Sequence, residues 1–486
     1  MIRAHRVAQV RAAEAALMAQ LPPGTLMQRA AEGLAVACAR RLPRVYGARV
    51  VLLVGGGDNG ADALWAGARL ARRGAQVVAV LVGEPRGDAL TALRTAGGRV
   101  GAAVDLDGAE LVVDGLVGIG GRGALRPPAA ELAERARGRD VVAVDLPSGV
   151  DADTGAVEGA AVRADLTLTF GTHKPGLLVG AGRQHAGRVE LVDIGLGAWL
   201  EPADVEQLSD ADVAALLPRA EAGSDKYTRG VVGIAAGSQQ YTGAAVLAVG
   251  AAVRAGAGMV RFAGAPHSAE QVRSRWPEAV VTEARGGDVV EAGRVQAWVV
   301  GPGLGTDDVA AATVEAVLAQ DVPVLVDADA LTVLAQHPSW ARDRSAPTLL
   351  TPHDREFARF RLAGGEQEGT AGAGTDRLAA ARALAADLGV TVLLKGDATV
   401  VADSTGHCRV NATGSPALAT AGTGDVLSGG CGALLAGGLR PLDAGSAGAH
   451  LHGRAGALAA AGAPTSAAAV LEAWPDAVRS VHGPRP

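Results

Sequence analysis

Short, unbroken Val/Leu runs recur along this sequence with helix-length stretches between them, and that alternation limits the possible folds more than any other feature. The first series reads RVVLLVG from Arg49, QVVAVLVG from Gln76, ELVVDGLVG from Glu110, DVVAVDLPSG from Asp140, LTLTFG from Leu166 and RVELVDIG from Arg188. A strand with one wet face alternates apolar and polar residues, whereas a run that is apolar throughout must be covered on both faces. Such runs, joined by helical crossovers, predict a layered α/β domain around a parallel sheet. An amphipathic helical region precedes the first run.

The pattern stops over residues 195 to 224, where prolines, acidic residues and one short helix that Ser209 would cap take its place. A second alternation opens with GVVGIAAGS at Gly230. It continues through GMVRFAG from Gly258, AWVVGPGLG from Ala297, VPVLVDADAL from Val322, APTLLTPH from Ala346 and VTVLLKGDATVVAD from Val390. No fixed-period repeat relates the two series. With 486 residues the chain is too long for one ordinary core, since domains run to about 100–250 residues. The reading is two different α/β domains, residues 1–203 and 204–486.

A net charge of −6 without a Lys/Arg-rich tract leaves no electrostatic footprint for nucleic acid. Cys38, Cys408 and Cys431 are odd in number and lack ligand spacing, which argues against a disulfide framework and a zinc site and for a reducing compartment. The N-terminal stretch MIRAHRVAQVRAAEAAL is interrupted by arginines, and no run approaches about 18 apolar residues. A cytoplasmic protein with small-molecule ligands and no membrane partner is expected.

In the first half, Gly55, Gly57 and Gly60 satisfy G-x-G-x-x-G after a strand and before a helix, with Glu84 near the end of the next strand. Alone, that pattern supports an NAD-dependent oxidoreductase. Asp58 and Asp62 oppose this, because carboxylates at the loop would repel a pyrophosphate. The glycines could also serve only as a tight strand-to-helix turn. Asp114 and Asp145 end two later strands. Strand ends form the ligand crevice of an open α/β sheet, so the 55–62 loop, Asp114, Asp145 and Ser148 should meet there. Hard oxygens so gathered could hold a cation, although a single strand-end aspartate is more often a cap or turn residue.

The second half has no G-x-x-x-x-G-K-[ST], so a nucleotide there is not held by a P-loop. It does have ATAGTGDVLSGG at residues 419–430, which puts Asp425 where a glycine loop becomes a helix. Helix starts carry partial positive charge and unpaired amides that suit an anion. Asp425 either caps that helix or faces a ligand. An aspartate of ordinary pKa, about 4, cannot deprotonate an alcohol in its ground state, so position should matter more than basicity.

The stretches DNGAD, DGLVGIGGRG, VDLPSG and TFGTHKPG resemble the marks of the NAD(P)H-hydrate epimerase family across most of residues 1–200. The resemblance implies that Asp58, Asn59, Gly60, Ala61 and Asp62 bind the hydrated nicotinamide nucleotide. It assigns Gly118, Ile119, Gly120, Gly121, Arg122, Gly123, Ala124 and the catalytic Asp145 to the same substrate. Asn59, Asp114 and Ser148 would hold a potassium ion. Asp58 stands where the family's NNGGD loop has asparagine, and Ala61 where it has glycine.

In chain order, GSQQYTGAAVLAVGAAVRAGAGMVR, GPGLG, DADAL, LTPHDREFARF, LLKGDATVV and AGTGDVLSG resemble the nucleotide-dependent NAD(P)H-hydrate dehydratases, which have a ribokinase-like fold. Each motif is weak alone, and their joint order carries the resemblance. It implies that Ala244, Gly303, His353 and Asp425 contact the hydrated nucleotide, with Asp425 catalytic. Lys395, Gly396, Asp397, Ala398, Thr399 and Gly424 would follow the phosphoryl donor, ADP or ATP with Mg2+. Asp354 and Arg355 replace the Pro-Gly of the family's TPHPGE.

The expectation is therefore a Rossmann-like three-layer domain followed by a ribokinase-like α/β domain, acting on NADHX and NADPHX as a homo-oligomer. The first would interconvert the R and S epimers at C6, and the second would phosphorylate the S hydroxyl and eliminate phosphate, with ADP favoured as donor. Two alternatives stay open. One is a ribokinase-like kinase of a small hydroxylated metabolite, and the other makes the N-terminal half a noncatalytic binding module.

Overall fold

Each apolar run of the first series becomes a strand: Arg49–Val54, Gln76–Leu81, Leu111–Gly115, Val141–Val144, Leu166–Phe170 and Arg188–Val192. A two-residue strand, Arg99–Val100, joins them without an apolar run of its own. All pairings are parallel, and counted along the chain the strands lie in the order 3-2-1-4-5-6-7. The direction of winding reverses between Arg49–Val54 and Leu111–Gly115, which opens a crevice at their carboxyl ends. Val50 to Val54 are at most 1% exposed, which accounts for a run with no polar residue. The computed structural model describes residues 1–219, 221, 223–363 and 373–483. The chain divides into two compact units, Arg3–Val205 and the remainder.

In the second unit the strands Val231–Ala235, Met259–Gly264, Val280–Glu283, Ala297–Val300, Val324–Val326, Thr348–Leu350 and Thr391–Leu394 repeat the same parallel order. The stretch VTVLLKGDATVVAD corrects the sequence reading, because it is not one strand. It turns at residues 395–398 into Thr399–Ala402, antiparallel to Thr391–Leu394, and Cys408–Asn411 adds a further antiparallel strand. Gly396 and Asp397 interrupt the apolar run at the turn. Ser209 caps Asp210–Leu216, its Oγ accepting from Asp212 N at 3.3 Å while Asp212 Oδ2 accepts from Ser209 N at 2.8 Å. Among the described residues no helix is long and apolar enough to cross a membrane.

The helix Thr423–Ala436 is almost entirely buried. Its glycines make that possible, since a Cβ at Gly429 would overlap the carbonyl of Ala248, one at Gly432 would overlap Val299, and one at Gly430 would overlap Trp474. The helix thus lies directly against Thr242–Arg254 and the strand Ala297–Val300, and its N-terminus is fixed at the strand ends. Gly429→Ala gains up to about 1 kcal/mol of helix propensity but forces apart a packed backbone contact, at a cost of about 1–3 kcal/mol. The variant should melt lower than the parent in the second unit by calorimetry. An unchanged transition would show that the two helices are not held in this contact.

Candidate active sites

In the first unit, a Cβ at Gly55 would overlap Leu116 O and one at Gly60 would overlap Gly55 O. These two glycines let the strand-to-helix turn close against the neighbouring strand and start the helix Asp58–Arg72 at the crevice. A cavity of about 310 Å³ opens there. Asp58, Asn59, Asp62, Ile119 and Asp145 line its strand-end side, and Met18, Leu21, Leu26 and Met27 from the N-terminal helical region form an apolar wall.

Asp145 is buried and takes the left-handed conformation at φ 68°. Its Oδ1 accepts from Phe170 N at 3.0 Å and from Thr169 Oγ1 at 3.2 Å, and it pairs with the Lys174 ammonium. Lys174 is 1% exposed and also donates to Thr169 Oγ1 at 3.0 Å and Phe170 O at 3.1 Å. A buried ammonium is tolerated only when paired and hydrogen-bonded in this way. The sequence reading gave Lys174 no role, and its only signal was a place in TFGTHKPG.

The two loop carboxyls differ in environment. Asp58 is exposed and pairs with Arg86 Nη1 at 3.2 Å, so its charge is matched at the rim. Asp62 is buried, and burial together with the charges of Asp145, Asp58 and Glu14 pushes its pKa well above the carboxylate range. The repulsion inferred from sequence for this loop is therefore relieved by a salt bridge at one position and eased by a raised pKa at the other. Glu14, also raised by burial, faces the same cavity and had no sequence signal.

Asp114 and Ser148 meet. Asp114 Oδ2 accepts from Ser148 N at 2.8 Å, and Oδ1 accepts from Ser148 Oγ at 2.7 Å and Leu116 N at 3.3 Å. Burial, opposed by these bonds, pushes Asp114 up to about 6. Asn59 Nδ2 donates to Val144 O, and its Oδ1 lies so close over Gly118 that a Cβ there would overlap it. Among the described residues no Lys or Arg pairs with Asp114. One buried carboxylate with neutral oxygens around it fits a monovalent cation. Gly60 and Ala61 are buried in the turn. Of residues 118–124 only Ile119 lines the cavity, and Gly120, Arg122, Gly123 and Ala124 are exposed.

In the second unit the strand ends again supply the side chains. Lys395, following Thr391–Leu394, donates from Nζ to Asp327 Oδ1 at 2.8 Å and lies 3.7 Å from Glu356 Oε2. Ser428 Oγ, on the helix Thr423–Ala436, donates to Asp327 Oδ2 at 2.6 Å. Burial opposes both charges of the pair, but attraction wins. Lys395 is held above its usual pKa by Asp327 and Glu356, and Asp327 below its own by Lys395 and Ser428. Asp327, Glu356 and Ser428 were not singled out from sequence, although they lie in the stretches DADAL, LTPHDREFARF and AGTGDVLSG.

Asp425, in the first turn of that helix, is pushed up to about 7 by burial and then by Asp327, against the pull of Lys395. It is therefore far more basic than the ordinary aspartate assumed from sequence. A Cβ at Gly424 would lie 3.7 Å from Lys395 Nζ and 4.0 Å from Asp327 Oδ2, so the helix start lies beside the ammonium.

The remaining positions also lie in the second unit. At Gly303, φ is 62° and a Cβ would sit 2.8 Å from that of Ala244. A cavity of about 360 Å³ that includes Tyr241, Leu304 and Gly305 adjoins this pair. His353 N donates to Glu356 Oε2 at 2.8 Å and Glu356 N donates to His353 Nδ1 at 3.1 Å, a reciprocal cap at the start of Asp354–Ala363. Arg377 donates to Asp354 Oδ1 at 2.6 Å and to Lys395 O at 2.7 Å, tying the Asp354 departure to the donor turn. Asp397 and Ala398 form that turn, and Thr399 opens the next strand.

A family model described as NAD(P)H-hydrate dehydratase matches residues 232–473, and one described as YjeF-related protein N-terminus matches residues 23–176. The bifunctional NAD(P)H-hydrate repair enzyme Nnr of Mycobacterium tuberculosis is 51% identical over 428 residues, covering 86% of this chain and 85% of that protein. Its namesake in Salinibacter ruber is 38% identical over 454 residues, covering 82% and 81%. A solved ribokinase-like superfamily protein from Enterococcus faecalis V583 superposes with TM-score 0.50 at 25% identity, covering 59% of this chain and 99% of that one.

The raised Asp425 pKa has a consequence for stability. With a folded value of about 7 against about 3.9 in the unfolded chain, the unfolded chain releases its proton first. Between those values the folded unit therefore loses stability as pH rises. Asp425→Asn carries no such charge, so it should raise the melting temperature of the second unit at about pH 8 by more than at about pH 4. Calorimetry at the two values checks this, and an equal shift at both would place Asp425 in water.

Proposed function

The chain belongs to the family of bifunctional NAD(P)H-hydrate repair enzymes, an epimerase unit joined to a dehydratase unit, and from that membership we propose how its residues divide the work. Hydroxide is a poor leaving group and phosphate a good one, so a kinase-like site suits a dehydratase. In the second unit, Asp425 accepts the proton of the S hydroxyl as that oxygen attacks the donor phosphoryl group. A base with pKa near the working pH combines the right protonation state with useful driving force. The observation that carries this reading is the grouping of Asp425, Gly424 and the Lys395–Asp327–Ser428 network at one helix start. The helix amides and Lys395 neutralise the charge of the transferring group.

The donor is ADP or ATP, along residues 395–399, with ADP preferred. Glu356 and Asp425 beside Lys395 offer the oxygen ligands that Mg2+ takes alongside phosphates. In the first unit, Asp145, oriented by Lys174, works on the hydrated ring, which rests against Met18, Leu26 and Met27. Asn59, Asp114 and Ser148 hold potassium, which would neutralise the buried Asp114 and stiffen the strand ends. The family match across both units favours repair over a lone small-metabolite kinase.

Mixing the protein with hydrated NADH and each donor should restore dihydronicotinamide absorbance, and no recovery with either donor would remove the reading. Asp425→Asn should slow dehydration by about 10² to 10⁴ while R/S exchange continues. Asp114→Ala should weaken epimerisation and its response to potassium without changing dehydration of the S epimer. Epimerase activity titrated with potassium checks this, and potassium-independent exchange in the parent would remove the ion.

A further inference from the structure

Four carboxyl groups, from Glu14, Asp58, Asp62 and Asp145, line the cavity of the first unit, and the reaction described above uses only Asp145. Their partners set them apart. Asp145 holds the buried Lys174 ammonium, Asp58 at the rim meets Arg86, and Glu14 lies in the field of Lys174 and Arg11. Asp62 forms no ion pair among the described residues, is 6% exposed, and has an Oδ1 with no hydrogen-bond partner.

A buried carboxyl oxygen that receives no hydrogen bond is costly as part of an anion and far less costly in a neutral acid. The charged groups around Asp62 act the same way. Glu14 on the helix Val7–Met18, Asp145 beyond Val141–Val144 and Asp58 on its own helix all disfavour its ionisation, and only Arg86 opposes them. Two carboxyls on one cavity, one bonded to a buried ammonium and one with an oxygen that receives no hydrogen bond, are suited to serve as base and acid.

We propose that Asp62 is the proton donor of the epimerase site, delivering its proton to the C6 hydroxyl while Asp145, held by Lys174, receives one from the water that re-adds. This rests on the epimerase reading above. The C6–O bond breaks with its electron pair going to oxygen, which takes the Asp62 proton and departs as water. The N1 lone pair closes an N1=C6 double bond, and C6 becomes planar. Water then adds to the other face, its oxygen forming the new C6–O bond while the N1=C6 pair returns to N1. The released proton goes to Asp145. The net change is inversion at C6 and one proton moved from Asp62 to Asp145; proton exchange with solvent water returns Asp62 to its acid form and Asp145 to its carboxylate before the next turnover. No oxidant or reductant takes part.

Three measurements on the full-length protein test this. In ¹⁸O-labelled water, mass spectrometry of initial product should find one ¹⁸O at C6 for each inversion, and inversion without label would overturn the proposal. Asp62→Asn, which keeps a hydrogen-bond donor but cannot transfer a proton, should lower kcat for R/S exchange by about 10² to 10⁴. Its KM should stay within a few-fold, and its dehydration of the S epimer should be unchanged. The parent kcat should fall at alkaline pH as Asp62 ionises, and the variant should lack that fall. A variant that exchanges at the parent rate, or a slow one that keeps the alkaline fall, would overturn the assignment. If the variant does not fold, the label and the parent's alkaline limb decide. A parent that exchanges no epimers would overturn the epimerase reading itself, whereas exchange that fails these tests removes only Asp62.

Discussion

A lysine–carboxylate pair at the strand ends organises the site in each unit: the buried Lys174 with Asp145 in the first, and the partly buried Lys395 with the buried Asp327 in the second. Removing one partner of such a pair strands the other charge in a low-dielectric interior, typically at a cost of about 3–5 kcal/mol. Both ammonium groups are further engaged, by Thr169 and Phe170 in one case and by Glu356 in the other. Their positions are therefore fixed before any ligand arrives, which is the condition for electrostatic preorganisation.

Around each pair a second carboxyl is left without a cation of its own, and its pKa rises. Asp425 reaches about 7 because it is buried near Asp327 and because Lys395 is already committed. Asp62 rises for the same physical reason, burial beside other acids. The two sites differ in chemistry but share this division between a carboxylate that anchors a cation and a neighbouring carboxyl whose pKa is raised.

Small residues make both arrangements possible. Gly55 and Gly60 let a turn close on Leu116, and Gly429, Gly430 and Gly432 let one helix lie on bare backbone and on Trp474. Glycine is at these positions a packing requirement. The common strand order of the two sheets has a general cause as well. Right-handed crossovers between parallel strands leave few ways to wind a sheet outward from its first strand and then reverse.

The sequence by itself determined the layered α/β class, the two strand series, the cap at Ser209 and the loops whose ends carry Asp114, Asp145, Lys395 and Asp425. These follow from local pattern, because a strand covered on both faces must be apolar throughout and a turn at its end must use small or polar residues. It misread the 390–403 run as one strand, because an apolar run does not reveal where it folds back, and it gave no sign of the two-residue strand Arg99–Val100. It also left Lys174, Glu14, Asp327, Glu356 and Ser428 unmarked. Only the tertiary structure decided which charges are buried together, and with them which carboxyl is paired and which keeps its proton. Desolvation and charge proximity depend on residues far apart in the chain, Asp327 and Ser428 or Asp62 and Asp145, and no local spacing encodes that distance.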